Sequence, residues 1–310
     1  MSDPTQAFDH EAIHHHYDLS NEFYQLFLDP WMLYTCAYYR DPEDTLEQAQ
    51  LDKLELVCRK LRLHAGERLL DIGCGWGSLA IWAAKHHGVR VLGVTLAEEQ
   101  ARFAHDWIRR AGLADHCRVE CRDYRDLAAL DPFDKVAAIG LIEHIGPGLA
   151  GGFFEGVHEL LRPEGLFLNH GISRNHAWQR TPQWDFLIEN VFPNAKLRHL
   201  SRLTEQMEQQ RFEILDVENL RPHYARTCRH WAERLRLQET RAIALVGERT
   251  YRTWLLYLTA SSISFEQSSL NLHQVLVQRV EPARVLVPTT REGTYASWPR
   301  RAARAQAAGA

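Results

Sequence analysis

Leu69-Leu70-Asp71-Ile72-Gly73-Cys74-Gly75-Trp76-Gly77 decides the fold. A short apolar run enters three alternating glycines, and a helical pattern from about Ser78 to His87 follows at once. A buried strand that feeds a glycine turn and a helix is the opening of a βαβ unit, in which bare backbone approaches a ligand. Amide groups at the start of such a helix suit an anionic ligand group. The spacing G-x-G-x-x-G of dinucleotide sites fails here, because Ser78 stands in the third glycine position. Asp71, at the strand end, can hold an ammonium group through charge-assisted bonds. An amino-acid headgroup therefore suits the turn better than a pyrophosphate, with Asp71, Gly73, Cys74 and Gly75 as its contacts.

Outward from this turn the alternation continues. Strands are expected at Arg68–Ile72, Val89–Thr95, Arg118–Arg122, Lys135–Gly140, Gly165–Ile172 and His273–Arg279. Helices are expected over Ala97–Ala111, Ala150–Leu161 and the long stretch 229–262. This predicts an α/β, Rossmann-like, mainly parallel doubly wound sheet. The second strand ends at Thr95-Leu96, where related folds place an acid on the ribose; Thr95 is neutral, so Gln100, one turn into the next helix, is the expected substitute. Asp123 and Tyr124, after the third strand, fall where adenine would be enclosed, although Asp123 also reads as a helix cap.

The 310 residues are 45% hydrophobic, enough for one α/β domain with insertions. We divide them into a flexible 1–12, a helical lid over 13–64, a ligand-binding core over 65–280 with an insertion at about 173–235, and a tail over 281–310, mobile at its end. Within the lid, a helix is expected from Asp18 to Leu28, and Thr45 with Gln48 forms a capping box for a second. The formal charge of −4 argues against nucleic-acid binding. The six cysteines, with no CxxC pairing and no leader pattern, imply reduced thiols and a cytoplasmic location. No apolar run spans a bilayer, so any membrane contact is peripheral.

Six motifs then occur in order: HHYDLSNEFYQLFLDPWMLYTCAYY, LDIGCGWGSLA, GVTLAEEQ, IEHIG, LNHGI and RPHYARTCRHW. Together, over roughly residues 13–280, they resemble the cyclopropane fatty-acid synthases, including the mycolic-acid cyclopropane synthases. The resemblance implies a class I methyltransferase that uses S-adenosylmethionine to methylate the cis double bond of an unsaturated phospholipid or other acyl chain. It implies a bicarbonate ion as base, held by Cys36, Glu143, His170, Tyr224 and the backbone near Ile172, and cofactor contacts from Tyr34 and Thr35. Taken singly, Cys36 is a small buried hydrophobe, Glu143 an ion-pair partner, His170 a core histidine and Tyr224 an interface aromatic. The resemblance further implies an acyl tunnel lined by aromatics such as Phe23, Trp31, Trp184 and Phe192, and a peripheral membrane surface; a homodimer is expected only because such dimers are common among oligomers.

Two departures stand out. An Arg-bearing stretch common in the family is replaced by Ser264-Phe265-Glu266-Gln267-Ser268-Ser269, which weakens any phosphate contact there. Compensating cations are sought at Arg221, Arg226, Arg229, Arg300, Arg301 and Arg304. The segment before the core is also shorter than the extra domain of some phospholipid-acting members. These features keep open a second reading, a C- or N-methyltransferase acting on a small secondary metabolite.

Overall fold

The computed structural model describes residues 19–300 apart from 147, 177, 183–184, 186–189, 192–196 and 281–288. Seven strands form one sheet in the order β3-β2-β1-β4-β5-β7-β6. They are β1 Arg68–Ile72, β2 Arg90–Thr95, β3 Cys117–Cys121, β4 Phe133–Ile139, β5 Leu161–Arg174, β6 Phe212–Asn219 and β7 Leu270–Arg279. The first five run parallel; β7 pairs antiparallel with β5, and β6 antiparallel with β7. The chain order reverses between β1 and β4. A cleft at the carboxyl ends of those strands is the consequence, since their following connections diverge to opposite sides.

The helices cover both faces. The described ones are α1 Asn21–Tyr24, α2 Leu46–Lys60, α3 Ser78–His87, α4 Glu98–Arg110, α5 Ala150–Leu160, α6 Leu200–Gln209, α7 Arg221–Leu237, α8 Glu239–Glu266 and α9 Glu292–Tyr295. One core cluster joins α2, through Leu51, Leu54 and Val57, to α3, α4 and the sheet. The opposite face buries Leu70, Ile72, Val136 and Phe167 under Phe153, Phe154 and Met207. A third, aromatic cluster sits beyond the strand ends, where α1, α7 and α8 pack around Phe23, Trp231 and Trp254.

Several expectations change. The helix expected from Asp18 to Leu28 is one regular turn, after which bonds such as Leu26 N to Phe23 O tighten the chain into successive turns. Asp18 itself lies outside the described residues. The presumed insertion 173–235 contains a strand of the main sheet, β6. A bulge between Ile214 and Asp216 breaks its two-residue alternation and hid it from the sequence pattern. The helical stretch expected at 229–262 is two helices, α7 and α8, and α8 is itself broken at Gly247 (φ 79°).

Of the tail, residues 289–300 are described, and the end expected to be mobile lies outside the described residues. Arg40 and Arg59 stack on the Trp298 ring, at 4.1 and 4.7 Å. Arg59 donates to the carbonyls of Gly293 and Ala296, and Arg300 reaches Asp44 Oδ2 at 2.7 Å. Residues 291–300 thus strap across α2. No described helix is long and apolar enough to cross a membrane.

Candidate active site

The glycine turn forms as the sequence implies. Gly73, Gly75 and Gly77 have φ of 74°, 55° and 84°, in the left-handed region that side chains avoid. Ser78, which spoils the dinucleotide spacing, donates its hydroxyl to the Trp31 carbonyl and so ties the turn to the 29–36 loop. That loop is fixed from several sides. Asp29 accepts from the amides of Trp31 (2.9 Å) and Leu33 (3.1 Å), and Gln50 of α2 donates to the carbonyls of Leu33 (3.3 Å) and Thr35 (2.9 Å). On the other side, Thr227 of α7 accepts from the Ala37 amide at 3.1 Å.

Two cavities meet around the turn and share Gly73, Gly75, Gln100, Gly140 and His144. The outer one, about 1190 Å³ with its mouth, is walled by Thr95, Leu96, Asp123, Tyr124 and Leu141. The Thr95 hydroxyl donates to Gln100 Oε1 there at 2.8 Å. The Asp123 carboxylate caps the following turn through the Arg125 amide (2.9 Å) and grips the Arg125 guanidinium (2.6 Å). Its hydrogen bonds are therefore those of a cap, while its position is on the cavity wall.

The inner cavity, about 1350 Å³ with its mouth, holds Tyr34, Thr35, Lys53, Asp71, Cys74, Glu143, Ile172, Tyr224, Cys228, Tyr257 and Phe265 on its walls. It joins loops after β1 and β4 to the end of β5 and to α7 and α8. Asp71 is 2% exposed, its Oδ2 has no hydrogen-bond partner, and burial pushes its pKa up to about 7. Glu143 behaves likewise: Oε2 is buried without a partner, and burial raises the carboxyl to about 7.

His170 and Cys36 are buried beside this cavity and are not on its wall. His170 faces Gln274 through Nδ1 (3.1 Å), while its Nε2 is buried without a partner. Burial holds the ring neutral, well below the ordinary histidine range. The Cys36 thiol donates to the Ala37 carbonyl (3.2 Å) and faces that of Leu220 (3.8 Å); burial holds it protonated. Burial also pushes the Tyr224 hydroxyl up.

The expected aromatic lining is different. Phe23 packs behind Tyr34 with Tyr24, Phe27 and Trp254. Trp31 is turned by the Asp29 loop onto Trp82 and Trp107, in the other cluster. Trp184 and Phe192 lie outside the described residues. Tyr34, Tyr224, Tyr257 and Phe265 take the role instead, with the Tyr224 and Phe265 rings 4.6 Å apart.

The cations sought as phosphate sites are also committed elsewhere. Arg221 donates to the carbonyls of Phe265 and Glu266, Arg229 pairs with Glu266, and Arg226 stacks on Tyr39 and donates to the Asp44 carbonyl. Arg300 belongs to the strap; Arg301 and Arg304 lie outside the described residues.

Lys53 and Tyr257 lie outside the quoted sequence motifs, and His144 and Cys228 lie inside them without an assigned role. Lys53 had one available signal: it shares the buried face of α2 with Leu46, Ala49, Val57 and Lys60, where a charge needs a reason.

The residues present fit S-adenosylmethionine: a buried unpartnered acid for the ammonium group, amides and glycines at a helix start, and a polar pair at the end of β2. Fold and site define an S-adenosylmethionine-dependent methyltransferase with a Rossmann-like core. The family described as mycolic acid cyclopropane synthetase matches residues 5–275, and the chain belongs to it. A probable fatty acid methyltransferase of Pseudomonas putida is 44% identical over 93% of this chain and 74% of its own length. The cyclopropane-fatty-acyl-phospholipid synthase of Escherichia coli is 37% identical over 85% of this chain and 66% of its own length. A solved mycolic acid cyclopropane synthase, CmaA1, complexed with SAH and CTAB, superposes with a TM-score of 0.82 at 31% identity. That match covers 87% of this chain and 98% of the other.

Proposed function

We propose that this chain methylates the cis double bond of an unsaturated fatty-acyl chain, with a bicarbonate ion held beside the cofactor as the base. One observation carries the reading: a predominantly apolar, aromatic cavity has on its wall the buried, unpartnered Glu143 Oε2, with His170 Nε2 buried and unpartnered beside it. An amine acceptor needs no such pair of polar atoms. When bound, S-adenosylmethionine supplies the electrophilic methyl group and bicarbonate the proton acceptor that permits ring closure.

The protein's own groups do the rest. Tyr34, Tyr224, Tyr257 and Phe265 exclude water and offer ring faces to positive charge on the acyl chain. Glu143, raised to about 7, is protonated in a large fraction of molecules near neutral pH and can donate to an anion. Tyr224, kept protonated by burial, is a second donor, while the thiol of Cys36 beside the cavity gives its one proton to the Ala37 carbonyl. The neutral His170 ring either donates or accepts at Nε2, according to its tautomer. Pre-placed donors in a dry site need no reorganisation when charge develops.

Related proteins named for fatty-acyl phospholipid and fatty acid substrates support a lipid acceptor. The test is incubation of the protein with S-adenosylmethionine and vesicles of cis-unsaturated phospholipid, with and without bicarbonate, followed by mass analysis of the released fatty acids. A bicarbonate-dependent gain of one methylene is expected. Cofactor binding with no lipid product would refute the acceptor.

A further inference from the structure

Lys53 is 2% exposed, on the inner cavity wall, and its one described hydrogen bond is to Thr35 Oγ1 at 3.0 Å. An ammonium group carries three donors, so two remain for another partner. Burying such a charge is costly unless it is paired. No carboxylate of the described residues lies within 4.0 Å of its nitrogen. Its strongest electrostatic neighbour is Asp29, both of whose oxygens accept from the Trp31 and Leu33 amides.

Asp71 is on the same wall and within electrostatic range, and is likewise buried with an unpartnered oxygen. Opposite charges thus face one cavity without closing onto each other. The glycine turn lines the same cavity. That arrangement has the shape of a receptor for a zwitterion, one pole at each side chain.

We propose that Lys53 is the carboxylate subsite of the cofactor pocket, holding the α-carboxylate of S-adenosylmethionine while Asp71 holds its α-ammonium group. The inference rests on the cofactor assignment above. It gives Lys53 a binding role at the amino-acid end of the cofactor. It also explains why a lysine occupies the apolar face of α2: its tip reaches past the helix surface to the Thr35 loop, so that α2 and the glycine turn grip one ligand from two sides.

The test compares S-adenosylmethionine, decarboxylated S-adenosylmethionine and 5′-methylthioadenosine by calorimetric titration of the wild type, Lys53→Met and Lys53→Arg. A charge-assisted pair in a buried site is worth about 1.5–3 kcal/mol, or roughly ten- to a hundred-fold in Kd. The wild type is expected to prefer the intact cofactor over its decarboxylated form by that factor. Lys53→Met should bind the two alike, Lys53→Arg should recover part of the preference, and 5′-methylthioadenosine should bind all three proteins equally. A Lys53→Met protein that keeps the wild-type preference overturns the proposal, whatever its need for bicarbonate. Equal loss of all three ligands also overturns it, by showing that Lys53 only supports the fold. Failure of the wild type to bind S-adenosylmethionine would instead strike at the cofactor assignment.

Discussion

Replacing Glu143 by Gln should make the protein inactive and, above neutral pH, relatively more stable. The carboxyl is raised from 4.5 to about 7, first by burial, while amides of its own loop and of Ile172 and the charge of Arg198 oppose the shift. The sign follows from which state binds the proton. A carboxyl with a folded pKa above its unfolded value gives its full stabilisation below 4.5 and loses it as pH rises towards 7. Linkage over this range makes the loss about 1 kcal/mol at pH 5.5 and about 3 kcal/mol at pH 8. Gln has no such titration, and any cost of its amide is the same at both values. The variant's stability relative to wild type should therefore rise by about 2 kcal/mol between them. Asp29 and Asp71 titrate in both proteins and cancel from the difference. Urea unfolding at the two pH values, in buffers freed of carbon dioxide, reads it. A difference that does not change with pH, or changes in the opposite direction, refutes the claim that Glu143 is buried without a compensating charge.

Three further outcomes test the geometry. Gly171→Ala places a methyl in collision with Ile142 Cγ2 and 3.2 Å from Glu143 Oε2. Such overpacking should cost about 1–3 kcal/mol and at least ten-fold in methyl transfer, measured by thermal melting and product formation; full activity at an unchanged Tm would contradict it. Asp29→Ala frees the Trp31 and Leu33 amides and should lower stability by about 1–3 kcal/mol in denaturant unfolding while weakening cofactor binding, because the Tyr34–Thr35 loop loses its anchor. Asp71→Asn keeps the shape and removes the charge, so titration should show roughly ten-fold or weaker binding of S-adenosylmethionine; unchanged affinity would remove Asp71 from the site.

The parts of this fold governed by local rules were legible in the sequence. Strand β1, the glycine turn and α3 follow from an apolar run meeting residues that alone tolerate left-handed backbone. Thr45 caps α2 as the sequence implies, accepting from the Gln48 backbone amide at 3.2 Å, while the Gln48 side chain turns to Asp52 Oδ1 at 3.3 Å. What escaped was set by tertiary context. The bulge in β6 shifts its pattern by one residue, and Lys53 looks like a surface charge until its neighbours are known. The position of Cys36 beside the cavity, and of Trp31 in another cluster, depends on how the 29–36 loop is pinned between α2 and α7, and that of His170 on its pairing with Gln274 across β5 and β7. The motifs named the residues; only packing decided which of them face the ligand.

The strap over α2 joins parts of the chain that are made far apart in time. Arg300 bonds Asp44 across 256 positions. At the usual pace of translation, on the order of 10–50 s separate the synthesis of those two residues. Throughout that interval α2, which bears Gln50 and Lys53, lacks its outer clasp. A newly made chain would then gain this clasp on α2 only once residues 291–300 have been made, long after the glycine turn.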